Sequence, residues 1–593
     1  MKILVFGKHF VKYYFKYFIF FALGIGILVL VDIAQLDIPR LLGEIIDYLQ
    51  TYDKTGAGEI SVVNGLVFEI IKVVAIVSLG RVFWRLLIFG TSRRIEHDLR
   101  TTMFDHSTRL AQDFYSYEKV GGMMTYFIND LSAIRMAFGP GIMTLIDTFA
   151  LGGIAIYKMA KLDTVMTIIA VVPMGLMVIA LYLINKSMRK QFRKRQDKFR
   201  DLSDYTQENY SGITVIKAYV REVFAAMTFR LKSDELYDAN IKYVRRSTWT
   251  NIITSITVNA VIISIIAYGS LLAIKTDFST GQLVEYYGYF MALLWPARAL
   301  GRFLTISSQA QASARRVGAF LDAEVSVRDE KDVLDITEVA PSIKVKGLNF
   351  AYPDDGVKVL EDISFEIEAG QMVGILGKTG SGKTTLVDLL LRVYNVSENS
   401  IELGGYDIMK LPLKTVRNTV GYVPQDNFLF SDTISNNISF AYDDLSDEEI
   451  IKAANMADIY TNIVDFKEGF DTILGERGVT VSGGQKQRIS IARAIAKNPD
   501  ILILDDSVSA VDTKTEETII KNLYDLRKGK TTIFIAHRIS TVRNMDKIIL
   551  LDDGKIIDIG SHNELMEKSP MYRDMVKRQE LADLASVGGD LDA

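Results

Sequence analysis

Gly377-Lys378-Thr379-Gly380-Ser381-Gly382-Lys383-Thr384 combines three glycines, a lysine and a hydroxyl at the spacing that cradles a polyphosphate. The glycines let the backbone wrap the phosphates, Lys383 reaches the outer ones, and Thr384 offers a hydroxyl to Mg²⁺, with Thr385 beside it. A second stretch runs from Val481 to Asp512. There Ser482-Gly483-Gly484-Gln485 opens a helix, since Ile489, Ala492, Ile495 and Ala496 recur at near-helical spacing. A Gly-rich helix N-terminus is an anion site, because its N–H groups point outward and its dipole favours negative charge.

The elements that must position these groups can be read around them. Val373–Leu376 is an apolar strand leading into the first glycine loop, and TLVDLLLRVY continues as a helix. Asn498-Pro499 ends the second helix, and Ile501–Leu504 reads as a strand buried on both faces. It delivers Asp505-Asp506 to the carboxyl end of a parallel strand, where open α/β sheets bind ligands.

The whole chain divides in two. It has 593 residues, 49% of them hydrophobic and 24% charged, which fits an apolar part joined to a soluble one. Length alone suggests about four domains at about 150 residues each, but the composition favours fewer, larger units. The net charge of −4 gives no sign of nucleic-acid binding. With no cysteines, disulfides and thiol chemistry are excluded. The basic N-terminal stretch and the absence of a small-residue cleavage site predict a retained first span with a cytoplasmic N-terminus.

Six spans are expected, each near the roughly 20 residues a bilayer requires: Tyr17–Ile38, Val62–Phe89, Phe138–Tyr157, Thr164–Asn185, Asn251–Ile274, and Leu283–Leu304 interrupted at Trp295-Pro296. The long connections after the second and fourth spans are basic, the positive-inside pattern, and read as helices continuing from the spans. Breaks are expected at Val120-Gly121-Gly122 and Ser211-Gly212. Asp32, Asp147, Arg81 and Arg85 are costly inside spans; the two aspartates either line a cavity or hydrogen-bond between helices.

Taken together and in this order, the motifs make the chain resemble the ATP-binding cassette (ABC) transporters over essentially its whole length. The resemblance implies an exporter-type, six-span α-helical transmembrane domain (1–322), a linker (323–342), an α/β P-loop nucleotide-binding domain (343–580) and a tail (581–593). It makes Ser482–Gln485 the signature motif, Asp505 the Mg²⁺-organising Walker B aspartate and Ser509-Ala510-Val511-Asp512 the D-loop. Tyr352 would stack on adenine, Gln425 would sense Mg²⁺ or the attacking water, and His537 would stand at the γ-phosphate. Leu474–Gly478 matches the X-loop, and Phe114–Met123 and Gln207–Glu222 match the coupling helices. His9, His97, His106 and His562 lack such context and are expected at the surface. In that family two cassettes pair head to tail, each ATP lying between one phosphate loop and the other chain's signature.

One position departs from the family's pattern. The general base after Walker B is usually Glu and is Asp506 here, which retracts the carboxylate by about 1 Å or more. The resemblance is then to heterodimeric bacterial multidrug exporters with one degenerate site. The expected function is ATP-driven export of amphipathic compounds across a bacterial cell membrane, with a second half-transporter chain and the lipid bilayer as partners. Lipid or lipopeptide flipping and a homodimeric exporter are the alternatives.

Overall fold

The computed structural model describes residues 7–55, 60–118, 120–330, 332–353, 356–442, 444–478, 480–508, 511 and 513–588. It falls into two units: residues 1–108 with 120–323, and residues 109–119 with 324–593.

The first unit is helical. Phe18–Gln35 is separated from Asp37–Thr55 by Leu36, and Pro39 sits in the first turn of the second helix, where its missing N–H breaks no bond. Ile60–Ser107, Thr164–Ser211 and Glu222–Lys275 run for 48, 48 and 54 residues. A 48-residue helix is about 70 Å long, more than twice the hydrocarbon thickness of about 30 Å. The long connections are therefore helical extensions of the spans, as their periodicity predicts.

Among the described residues, five helical stretches are long and apolar enough to cross a membrane, one fewer than expected. The sixth expected span lies on Thr280–Leu321, a 42-residue helix whose apolar character is diluted by Tyr286, Tyr287, Tyr289, Trp295, Glu285 and Arg298. Pro296 sits inside this helix without ending it, correcting the expected interruption. The helical stretch Gly121–Leu162, which contains the third span, carries two π-helical turns, Tyr126–Asp130 and Ala137–Gly141, the latter around Pro140. Buried Asp130 accepts from Ser313 Oγ at 2.8 Å and Arg316 Nε at 3.0 Å.

The breaks in the connections also differ from expectation. Gly121 and Gly122 lie within a helical turn, Val120–Thr125, and the first short helix is Gln112–Tyr117. The second is Ile213–Ala218, directly after Gly212 as predicted.

The second unit holds two sheets. Its strands are β1 (Ile343–Ala351), β2 (Lys358–Ile367), β3 (Met372–Gly377), β4 (Ile401–Leu403), β5 (Tyr406–Asp407), β6 (Val420–Val423), β7 (Ile501–Asp505), β8 (Thr531–Ala536), β9 (Lys547–Asp552) and β10 (Lys555–Gly560). One sheet is antiparallel in the order β2-β1-β4-β5; the other is ordered β10-β9-β3-β8-β7-β6, parallel except for β10. β3, β7 and β8 are buried on both faces, which is why their sequences are continuously apolar. Val373, Ile375, Ile501 and Ile503 pack toward β1 and β2, while Leu376, Leu502 and Leu504 pack toward the helix Gly483–Ala496. Gln112–Tyr117 belongs to this unit, with Ser326 Oγ donating to Asp113 Oδ2 at 2.9 Å.

In the helical unit, Asp47 accepts from Ser279 Oγ (2.6 Å) and Gly281 N (2.7 Å), drawing Asp37–Thr55 onto the start of Thr280–Leu321. A Cβ on Gly281 would lie 2.2 Å from the Gly43 carbonyl oxygen. Gly281→Val should therefore cost roughly 1–3 kcal/mol by overpacking, read as a lower melting temperature in detergent while nucleotide binding persists.

Candidate active site

Parallel register gathers the candidate residues at one edge of the six-stranded sheet. Leu376 pairs with Ala536, so Gly377 and His537 lie level one residue further along. Asp505 pairs with Ile535, and Val423 with Leu504, which brings Pro424-Gln425 alongside Asp505-Asp506. The ends of β3, β8, β7 and β6 thus bring together the phosphate loop, His537, the acidic pair and Gln425.

The loop itself is built by close approach. A Cβ at Gly377 would stand 2.1 Å from the Leu551 carbonyl oxygen, and one at Gly382 would stand 2.7 Å from Leu360 Cδ2. Gly380 and Gly382 take φ of 82° and 95°, the left-handed region that favours glycine. Lys383 is only 6% exposed, and its Nζ donates to the Gly377 and Lys378 carbonyls at 2.9 and 2.7 Å, lying across the loop. Burial lowers its pKa, and Asp505 and Asp506 partly offset this. Ser381 is buried in the loop, and Thr384 is exposed at its rim.

Asp505 is 2% exposed, and its Oδ2 has no hydrogen-bond partner. Burial raises its pKa; hydrogen bonds from Thr384 and Tyr422 oppose the rise, and the Asp506 carboxylate adds to it. A buried carboxylate with an open oxygen beside a hydroxyl and a second carboxylate suits a hard divalent cation. Among the described residues no cluster of three or more His, Asp or Glu could hold a metal alone. That donor set fits Mg²⁺, which takes one or two carboxylates and leaves the rest of its shell to water and phosphate. Asp506 sits at φ 46° with its N–H on the Ile535 carbonyl at 2.9 Å. Its own carbonyl accepts from Gln487 Nε2 at 3.4 Å. Gln425 is exposed and His537 half-buried.

Tyr352 follows β1, and its ring packs edge-to-face with Phe350 (5.2 Å) and Tyr394 (5.4 Å). Its hydroxyl pairs with Thr385 Oγ1 at 2.8 Å, so Thr385 anchors the tyrosine to the helix Lys383–Leu390. Three participants escaped sequence reasoning. Tyr422 reaches Asp505 from β6, and Asp388, raised to about 6 by burial with Asp505 adding to the rise, lies on the phosphate-loop helix. Tyr394, whose ring stands against Tyr352, lies near Ser116 and Asp113 of the short helix Gln112–Tyr117. Tyr422 lies in a strand, Asp388 in a helix and Tyr394 in the bend after that helix, with no motif to mark them.

The signature residues stand apart. Ser482 caps the helix Gly483–Ala496, and Ser482 and Gln485 bond each other in a capping box. Ser482 and Gly483 are exposed, and a Cβ on Gly483 would meet nothing within 4 Å. Of the D-loop, Ser509, Ala510 and Asp512 lie outside the described residues. The four remaining histidines are not uniformly at the surface. His97 is exposed, but His9 binds Asp322 at 2.7 Å, His562 binds Tyr572 Oη at 2.8 Å, and His106 is half-buried edge-on to Phe320.

Residues 360–509 match the family model described as ABC transporter, and residues 21–297 match the ABC transporter transmembrane region. A probable multidrug resistance ABC transporter ATP-binding/permease protein, YheI of Bacillus subtilis (strain 168), is 36% identical over 571 residues. That alignment covers 96% of this chain and 97% of the relative. The chain belongs to the ABC transporter family. The multidrug resistance-like ATP-binding protein MdlA of Escherichia coli (strain K12) is 32% identical, with 94% of each chain covered. The solved structure of a bacterial Atm1-family ABC exporter with ATP bound superposes with a TM-score of 0.74 at 26% identity, covering 94% of this chain and 98% of that one. The chain is thus an exporter-type half-transporter, a multi-pass membrane protein whose ATP-binding unit couples ATP hydrolysis to transport.

Two glycines separate folding from encounter. Gly377→Ala should abolish nucleotide binding, because its methyl strikes the Leu551 carbonyl. Gly483→Ala should leave melting temperature and nucleotide binding unchanged yet remove ATPase activity, because only an incoming ligand requires the space there. Loss of binding in Gly483→Ala, measured with a fluorescent ATP analogue, would contradict this assignment.

Proposed function

We propose that this chain is one half of a heterodimeric, ATP-driven exporter of amphipathic compounds in a bacterial cell membrane, its N-terminus and ATP-binding unit cytoplasmic. The observation that carries the reading is Asp506. Its backbone is tied on both sides, by its N–H to Ile535 and by its carbonyl to Gln487. A backbone shift to compensate for the shorter side chain would break those bonds, so the carboxylate stays short of the attacking water. A misplacement of about 1 Å can cost on the order of 10²-fold in rate. The names of the relatives from Bacillus subtilis and Escherichia coli support the multidrug and bacterial parts of the reading.

In this reading Tyr352 stacks on adenine, and the loop amides of Gly377–Thr384 with Lys383 hold the phosphates. Thr384 and Asp505, with Gln425, would hold Mg²⁺, which neutralises charge on the phosphate oxygens when bound. Gln425 and His537 orient the water and the γ-phosphate, and Asp506 is a slow general base. Phosphoryl transfer depends on positioning and charge stabilisation more than on covalent help. The exposed Ser482–Gln485 completes the partner's site, where a glutamate base would act.

Dimerisation is supported by a further surface. Around the short helix Ile213–Ala218, Tyr219, Val220 and Val223 are 75%, 81% and 74% exposed, an apolar cluster suited to cover by a partner's ATP-binding unit. ATP binding would favour the closed dimer and so shift the transmembrane unit outward-facing, a population shift driven by differential affinity.

ATP hydrolysis in lipid by the chain alone and with candidate partner chains tests this directly. The chain alone should be nearly inactive, and a partner should restore turnover that depends on Ser482 and Gly483. Asp506→Glu should raise turnover at this chain's own site by on the order of 10- to 100-fold. Brisk activity alone, unmoved by Asp506→Glu, would instead establish a homodimer in which aspartate suffices. Chelating Mg²⁺ should stop hydrolysis in every pairing, and Asp505→Asn should do the same at this site.

A further inference from the structure

The linker that leaves the helix Thr280–Leu321 for β1 is bonded to the ATP-binding unit at intervals of a few residues. Asn395 Nδ2 donates to the Ser326 carbonyl at 2.8 Å, and Ser326 Oγ reaches Asp113 of the short helix Gln112–Tyr117. Asp329 Oδ1 accepts from Leu413 N at 2.8 Å, and Leu334 N donates to the Lys410 carbonyl at 2.8 Å. Thr415 Oγ1 donates to the Ile336 carbonyl at 2.6 Å. Two stretches of the unit therefore hold the linker. One is 392–395, directly after the phosphate-loop helix Lys383–Leu390, and the other is 408–415.

One side chain joins both stretches to the linker. Arg392 is 0% exposed, and its Nη2 donates to the Arg328 carbonyl at 3.1 Å. Its Nη1 donates to the Leu411 and Ile408 carbonyls at 2.9 and 3.3 Å. The rigid guanidinium fork fixes these three carbonyls relative to one another, which a flexible ammonium would not do. The arrangement is costly to hold. Burial lowers the pKa of Arg392, with the Asp329 carboxylate opposing the fall, and Nε has no hydrogen-bond partner. The backbone at 392 takes φ 48°, the left-handed region, in the turn that ends the phosphate-loop helix. Arg527, also buried, takes the Pro499 and Thr531 carbonyls, away from the linker.

The other end of that helix meets the nucleotide. ATP entering the loop must draw Lys383 from the Gly377 and Lys378 carbonyls to its phosphates. We infer that Arg392 is a positioning residue for ATP-coupled transport. Its guanidinium passes the adjustment of the phosphate-loop helix to the linker, and along the chain to Thr280–Leu321, by a route separate from the short helices of the long connections. In a close-packed interior Arg392 cannot shift without carrying its carbonyl partners. The inference needs only ATP-coupled transport, and it stands whether the chain pairs with a partner chain or with itself.

The test follows hydrogen exchange of peptides spanning 324–336 in the transporter in lipid nanodiscs, in the pairing that hydrolyses ATP, with and without the non-hydrolysable analogue AMP-PNP. AMP-PNP should slow exchange there about fivefold or more. Arg392→Lys keeps the charge and loses the fork. In it that response should vanish, while affinity for a fluorescent ATP analogue changes by less than about twofold. Asn395→Ala, at an exposed position, should diminish the response. Thr415→Val cuts a linker bond on the other stretch only, so it should lower the melting temperature and keep the response. A linker unmoved by AMP-PNP in the unaltered chain, or an equal response in Arg392→Lys, would overturn the inference. So would a response lost in Thr415→Val as fully as in Arg392→Lys, since any linker bond would then suffice. Where Arg392→Lys fails to fold, Asn395→Ala decides: a diminished response supports the inference, and an undiminished one overturns it.

Discussion

The registered parallel pairing of β6, β7, β8 and β3 is the constraint from which the catalytic edge follows, and a buried arginine secures it from the opposite end. Arg527 donates to the Pro499 carbonyl at 3.0 Å, the Thr531 carbonyl at 3.1 Å and Thr532 Oγ1 at 3.0 Å. These bonds join the segment entering β7 to the start of β8, and burial pushes the guanidinium down to about 10. Thr532 N–H in turn bonds the Gln371 carbonyl just before β3. With the amino ends of three strands pinned, their carboxyl ends have no freedom to slip. A slip of one residue would turn every side chain of a strand to the other face. Asp505 would then leave the level of the phosphate loop, and His537 that of Gly377.

The same economy of charge governs both units. In the ATP-binding unit, Lys383 lies on loop carbonyls and Asp505 keeps one oxygen without a hydrogen-bond partner, arrangements that a nucleotide and a cation would complete. In the helical unit, Asp130 and Glu96 are matched within the chain, and Asp32 and Asp147 each keep one oxygen without a hydrogen-bond partner. Buried charge that is only partly matched is costly.

The signature residues are built differently from the phosphate loop. The signature residues cap their own helix and face open space, and nothing in the fold calls for glycine at 483. Gly377, by contrast, is demanded by the Leu551 carbonyl. The chain's own fold requires one glycine and not the other, a difference that an identical residue type conceals.

Much of this was legible in the sequence, for a local reason. The phosphate loop, the capping box of Ser482 and Gln485, and the doubly buried β3, β7 and β8 each follow from residue types and periods within a short stretch. The helical continuation of the spans is local in the same sense. Tertiary structure decided whatever joins distant positions. The helix Thr280–Leu321 runs through Pro296, the first short helix forms at Gln112–Tyr117 ahead of the glycines, and three of the four remaining histidines find partners or cover. Tyr422, Asp388 and Tyr394 join the site only through sheet register and helix packing, which no spacing along the chain encodes. Asp32 and Asp147 stood in the sequence as two separate costly charges; helix packing made them one cavity. Motifs name the groups that can react, and long-range packing alone determines which of them share a site.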